Sequence, residues 1–350
     1  MSVFKSHIVA MSAYLPPLEG RNPDSHLLLD FNERTLPVSD EVRDALLDYI
    51  NGGRMQMYPC YEDITDRIAD YVGVEAGNVM ITNGSDQGID LVFRATCNPS
   101  DEAIIPHPGF AMYNQCAKIE NLDIITPIYT MEHGFPVQEV IAAITNKTKM
   151  ICFANPNNPS GTGVRREDII QLLEAAPNAA VLVDECYYEY SKNTVVDLVE
   201  QYPNLIVTRT FSKTWGIPSL RMGYLIAAKQ NINALLNVRG PYDINQLAVV
   251  AVRAALEAPG YMEAYIKEVM EESKPALEAF LSERNIDFWP SEANFVWMFS
   301  DQSEAIEKQL LEAGILVRPK FDADGRRGLR ITLGTKEQTD RVLGEMAKVV

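Results

Sequence analysis

The chain has 350 residues, 47% of them hydrophobic, enough to bury a substantial core and to fill two domains. A net charge of −17 and a pI near 4.7 make nucleic acid and anionic membranes poor partners, and no basic run counters that. Five cysteines, scattered at positions 60, 97, 116, 152 and 186 without a CxxC pair, indicate neither a disulfide framework nor a zinc site.

The opening MSVFKSHIVAMSAYLPP lacks the long apolar stretch of a signal peptide. No apolar run approaches the ~18 residues that span a bilayer, so a reducing, cytoplasmic setting is expected. The first 35 or so residues read as an irregular arm, broken by Pro16, Pro17, Gly20, Pro23 and Pro37. SDEVRDALLDYING, with Ser39 as cap and a glycine stop, reads as a helix, and EDITDRIADYVG as another ending at Gly73. Strands and helices then alternate. NVMIT, DEAIIP, DIITPIY, KMICFAN, AAVLVDEC and NLIVTRT are expected strands. The expected helices are SDQGIDLVFRATC, one from about Ala111, one within Val137–Ile144, and REDIIQLLEAA. Continuous apolar strands in such alternation predict an α/β fold with a mostly parallel sheet covered by helices. From about Asn245 to Asn285 the chain turns helical, and short strands and a last helix follow, as expected of a smaller α+β domain. The expected divisions are an arm at 1–38 that is part of the small domain, a large cofactor-binding domain at 39–235 and a small domain at 236–350.

Each candidate for chemistry follows an expected strand, where ligands of open α/β sheets bind. Gly84, Ser85 and Asp86 in NVMITNGSDQG open a helix whose free N–H groups suit a phosphate, although a capped tight turn reads equally well. Phe110 in HPGFAMY can stack on a flat ring or simply fill core, and Tyr113 reads as packing. Asn158, in the Pro/Gly-rich turn ANPNNPSGTG, can donate to a phenolic oxygen or merely shape the turn. Asp184 ends an apolar strand, where a carboxylate needs a cation such as a protonated pyridine nitrogen, unless it is a cap; Tyr187 follows three residues on. Lys213 lies among Trp, Phe, Ile and Pro, where desolvation lowers an amine's pKa and allows a Schiff base with an aldehyde. Thr210 and Ser212 precede it, and Arg221 comes eight residues later. Arg330 sits mid-strand in GLRITLG and needs an anion, either a substrate carboxylate or an internal salt bridge.

In combination and in this order, the motifs resemble the fold-type I pyridoxal phosphate aminotransferases of class I/II over almost the whole chain. They are most similar to the histidinol-phosphate aminotransferase branch. The closest echoes are LLDFNER, MYPCYED, NGSDQGID, NPNNPSG, VDECYYEY, TFSKTWGIPSLRMGY, ANFVWM, GILVRP and LRITLGT. The resemblance implies that Lys213 carries the cofactor and shuttles the proton, and that Asp184 pairs with the pyridine nitrogen. It implies that Asn158 and Tyr187 hold the phenolic oxygen and that Phe110 stacks on the ring. Gly84, Ser85, Asp86, Thr210, Ser212 and Arg221 are implied to form or support the phosphate cup. Tyr58 matches the position that reaches a neighbouring subunit's phosphate, which implies a homodimer with shared sites. Arg330 matches the substrate-gripping arginine, and Tyr14, Asn32 and Arg318 fall near the substrate end. Phe110 replaces a more usual tyrosine, and Cys186 stands where alanine is common. YLPPLEGR and WGIPSL depart from the branch on the substrate side.

The activity implied is transamination between an amino donor, best matched by L-histidinol phosphate, and 2-oxoglutarate. An aromatic amino acid donor, or decarboxylation of a phosphorylated amino acid, are the alternatives on the same scaffold. A nicotinamide-dependent oxidoreductase is disfavoured because no GxGxxG follows the first strand. A non-catalytic sensor module is disfavoured by the intact Lys213 and the lack of room for a DNA-binding part.

Overall fold

The computed structural model describes residues 2–16, 18 and 20–350; Pro17, one of the expected helix breakers, lies outside them. The strands, in chain order, are β1 (Leu27–Leu28), β2 (Val79–Thr82), β3 (Glu102–Ile104), β4 (Asp123–Ile125), β5 (Thr148–Ala154), β6 (Ala180–Asp184), β7 (Leu205–Thr210), β8 (Gly223–Ala227), β9 (Asp287–Phe288), β10 (Phe295–Phe299), β11 (Ile315–Leu316), β12 (Arg318–Phe321) and β13 (Arg327–Thr332).

A seven-stranded sheet in the order β2-β8-β7-β6-β5-β3-β4 forms the centre. Its pairs from β7 through β6, β5 and β3 to β4 are parallel. Every residue of β2, β7 and β8 is buried, as are nearly all of β5 and β6, because helices cover both faces. That is why these strands read as unbroken apolar runs rather than as alternating ones. β8 has no counterpart among the expected strands: it runs antiparallel to both β7 and β2. Its first two residues, Gly223 and Tyr224, close the Lys213 motif TFSKTWGIPSLRMGY, so the hairpin return reads as part of that motif.

Local signals set the helix ends. Ser39 accepts from the N–H of Val42 at the start of the helix Asp40–Asn51, and Gly73 closes Ile64–Val72 in the left-handed conformation at φ 83°. The helix Lys229–Leu236 was not foreseen. The arm is less irregular than expected, with a short helix at Ser6–Ala10 and β1.

β1 pairs in parallel with β11, and a four-stranded antiparallel sheet runs β12-β13-β10-β9. Beyond β1, the Thr332 N–H donates to the Leu29 carbonyl, so residues 29–34 are led past β13 toward the large sheet. The carboxyl ends of β5, β6 and β7 face this crossing, and the site lies between them.

Candidate active site

Asp184 is the last residue of β6 and is only 2% exposed. Burial pushes its carboxyl up to about 6, opposed by the donors it receives. The Tyr113 hydroxyl donates to Oδ2 at 2.7 Å, and the Cys186 N–H donates to Oδ1 at 3.1 Å. A carboxylate held there against its desolvation suits a cationic ligand atom.

Lys213 lies on the loop joining β7 to β8. The antiparallel return pairs Thr210 with Gly223, so Lys213 and Arg221 come back to the same end of the sheet. The Lys213 Nζ donates to the Phe31 carbonyl at 2.8 Å. Burial lowers its pKa, which raises the share of neutral, nucleophilic amine.

The end of the cleft at Arg221 rests on a close backbone approach. A Cβ at Gly223 would lie 2.5 Å from the Ser85 nitrogen, so only glycine lets β8 abut the start of the helix Gly84–Thr96. Gly84 has φ +73°, and a Cβ there would meet Arg221 Nη2 at 2.3 Å. No side chain caps this 13-residue helix, so its first-turn N–H groups point to the cleft with the helix dipole behind them. Arg221, itself left-handed at φ 57°, is steered by Asp86 Oδ2 at 2.9 Å and by Ser212 Oγ at 3.4 Å. Thr210 Oγ1 accepts the Ser212 N–H at 3.1 Å.

The cleft so formed has a volume of about 120 Å³. Ten of the expected residues line it: Ser85, Asp86, Phe110, Asn158, Asp184, Tyr187, Thr210, Ser212, Lys213 and Arg221. Gly84 adjoins them under Arg221. Tyr187 accepts at its hydroxyl from Asn32 Nδ2 (2.9 Å) and Asn158 Nδ2 (3.4 Å). Its own proton is therefore left for a third partner. Tyr113, Ala154 and Cys186 line the cleft as well. Tyr113 had read as packing; its position three residues after Phe110, on the same side of a helix, was the available signal.

Arg330 is 4% exposed and has no carboxylate within ion-pair distance among the described residues. Its Nη1 donates to Asn158 Oδ1 and its Nη2 to the Asp30 carbonyl, both at 2.6 Å, while Nε has no partner among the described residues. The internal salt bridge is thus not found. Arg318 is the register partner of Arg330, and Lys320 follows two residues on, so alternation places all three on one face of the β12–β13 hairpin. Burial and the two arginines lower the Lys320 ammonium to about 8, and burial with Arg318 lowers Arg330 to about 10. Sequence reading passed over Lys320, although ILVRPK alternates. The half-exposed Tyr14 is near enough to bear electrostatically on Arg318 and Arg330. Tyr58 is not brought to the cleft: it is 79% exposed and its ring lies 4.6 Å from that of Tyr242.

An aldehyde-reactive amine, a buried carboxylate, a cleft lined by Phe110 and an uncapped helix start with an arginine fit a flat aldehyde bearing a phosphate. Pyridoxal phosphate has each of those parts.

Residues 25–346 match the family model for aminotransferase class I and II. A histidinol-phosphate aminotransferase from Thermoanaerobacter pseudethanolicus is 32% identical over 326 residues, 92% of this chain and 92% of that one. An aromatic amino acid aminotransferase from Rhodococcus jostii is 31% identical over 343 residues, 97% of this chain and 94% of that one. A solved histidinol-phosphate aminotransferase from Sinorhizobium meliloti, in complex with pyridoxal-5'-phosphate, matches with a TM-score of 0.89. The identity is 20% and the match covers 100% of this chain and 99% of that one, a likeness of fold.

Proposed function

The chain belongs to the class I and II aminotransferases, and within that family we propose that it moves the amino group of L-histidinol phosphate to 2-oxoglutarate. The observation that carries this reading is the face bearing Arg318, Lys320 and Arg330, three cations without a carboxylate partner among the described residues. Asp30 bears on Arg318 and Arg330 but is itself paired with Arg21, so three partly desolvated cations still call for more than one negative charge among the described residues. A phosphate monoester supplies that, and so does a dicarboxylic oxo acid in the return half of the cycle; phenylalanine does not. The first of the relatives described above carries the same activity in its name.

Pyridoxal phosphate, when bound, supplies a carbonyl that takes up the amino group and a ring that accepts electron density from the substrate's Cα. The residues do the rest. Lys213 Nζ, once free, accepts the Cα proton as a general base and returns it as a general acid. Asp184 keeps a proton on the ring nitrogen by pairing with it. Tyr187 donates its one unused proton to the ring's phenolic oxygen, with Asn158 beside it. Ser85, Ser212 and Arg221 hold the phosphate, and Asp86 keeps Arg221 aimed. Phe110 covers one ring face, and Arg330 orients the anionic end of the substrate.

The reading includes a homodimer in a cytoplasmic setting. Tyr58 stands with Met55, Met57 and Tyr242 as exposed apolar side chains, away from its own cleft, as a residue that serves a second subunit must. All five cysteines are free, as suits reducing conditions, and no described helix is long and apolar enough to cross a membrane.

Single-turnover absorbance with the holoenzyme and separate donors tests the substrate. Rapid loss of the cofactor's visible band with histidinol phosphate, with or without glutamate, supports the reading and places the protein in histidine biosynthesis. Rapid loss with phenylalanine or tyrosine and none with histidinol phosphate overturns it in favour of an aromatic aminotransferase. Release of carbon dioxide from a phosphorylated amino acid overturns it in favour of a decarboxylase.

A further inference from the structure

Tyr113 stands where two groups that grip the cofactor ring meet. It is fully buried on the helix Ala111–Ile119. Its hydroxyl is 2.7 Å from Asp184 Oδ2, and its ring meets Phe110 edge-on, with centroids 5.5 Å apart and planes at 85°. The Cys186 N–H holds the other carboxylate oxygen. With one donor on each oxygen, the carboxylate cannot rotate without breaking a hydrogen bond.

We propose that Tyr113 is a positioning residue that fixes the Asp184 carboxylate and sets its basicity toward the cofactor's ring nitrogen. The choice of a phenol has a physical logic. A lysine or arginine on Oδ2 would neutralise Asp184 and repel a protonated ring nitrogen. A lone backbone donor would leave the buried carboxylate under-solvated and easily protonated. A buried phenol gives a strong hydrogen bond and adds no charge, and burial keeps Tyr113 itself far from ionising. The same side chain braces Phe110, so one residue registers both the edge and the face of the ring.

The other titratable groups that bear on Asp184 are Asp86 from the helix Gly84–Thr96, Cys152 on β5, and Cys186 and Tyr187 beyond β6. Lys213 lines the same cleft. All of these remain in the variants that isolate Tyr113. The inference rests on the placement of the cofactor ring against Asp184.

The test is equilibrium dialysis of the holoenzyme over a series of pH values, with retained cofactor read from its absorbance. Retention weakens in acid as Asp184 gains a proton and stops pairing with the cationic ring nitrogen. Tyr113→Phe keeps the ring that packs on Phe110 and removes only the hydroxyl, so the carboxyl becomes more basic and the midpoint rises by about one pH unit. Incorporation of 3-fluorotyrosine at position 113, a stronger donor of nearly the same shape, lowers the midpoint. In an Asp184→Asn background neither change moves it. Ionisation of the cofactor's own phosphate is common to all these proteins and cancels. A midpoint that ignores both changes, or that moves equally without Asp184, overturns the proposal. Wild-type retention by Asp184→Asn at every pH overturns instead the placement of the ring on which it rests.

Discussion

At the scale of single residues, the site depends on groups held in unfavourable charge states until a ligand arrives. Asp184 shows the sign most clearly. Its carboxyl is raised by burial from 3.8 to about 6, so the folded cofactor-free protein binds more protons than the unfolded chain between those values. Stability therefore falls as pH rises through that window, by on the order of 3 kcal/mol for this group. Asp184→Asn removes the effect, so cofactor-free variant and wild type should diverge in urea midpoint above pH 6, with the variant more stable, and converge near pH 4. Lys213→Ala should cut transamination by at least roughly 10²–10⁴-fold, measured as kcat with saturating donor, because the proton-transfer base is lost. Lys320→Met should raise KM for histidinol phosphate about tenfold while leaving phenylalanine turnover unchanged, because only the phosphorylated donor needs the third cation.

At the scale of elements, the β7–β8 hairpin and the β6–β7 pair do the positioning. Arg209 on β7 and Glu185 just beyond β6 form a 2.8 Å ion pair that is almost wholly buried, with the Tyr188 ring over the guanidinium. Glu185 adjoins Asp184, so this pair anchors the strand end that carries the site. Arg209→Ala leaves a buried carboxylate unpaired and should destabilise the protein by about 3–5 kcal/mol in equilibrium urea unfolding. The same elements show what can be read from sequence. KMICFAN, AAVLVDEC and NLIVTRT were legible because a strand buried on both faces needs only apolar residues, a signal that neighbours along the chain carry. Asp184, Lys213 and the NPNNPSG turn were legible because they end such runs. β8 was missed because its first two residues, Gly223 and Tyr224, close a motif that already explained them. Tyr113 on Asp184, and Lys320 beside Arg318 and Arg330, were missed because those contacts join residues distant in sequence or turn on strand register, which no local period encodes.

At the scale of the whole molecule, two sheets and a crossing segment enclose the cleft. We propose that the large sheet and its helices form one domain over 39–235, and that the smaller sheet forms another from 236 to 350 with the arm at 1–38. In this arrangement residues 29–34 and β13 bring the substrate-side groups of one domain against the lysine loop of the other. The proposed homodimer predicts a sedimentation mass twice the 39.1 kDa of one chain. Tyr58→Ala should weaken cofactor retention although Tyr58 lies outside the cleft of its own subunit; retention at the wild-type level would show that the partner's cleft does not use it. The most direct test of the account as a whole is borohydride reduction of the holoenzyme followed by peptide mass mapping. One reduced phosphopyridoxyl group per chain is expected, on Lys213. Its appearance on another lysine, or on none, would contradict the site built here from β6, β7 and the loop between β7 and β8.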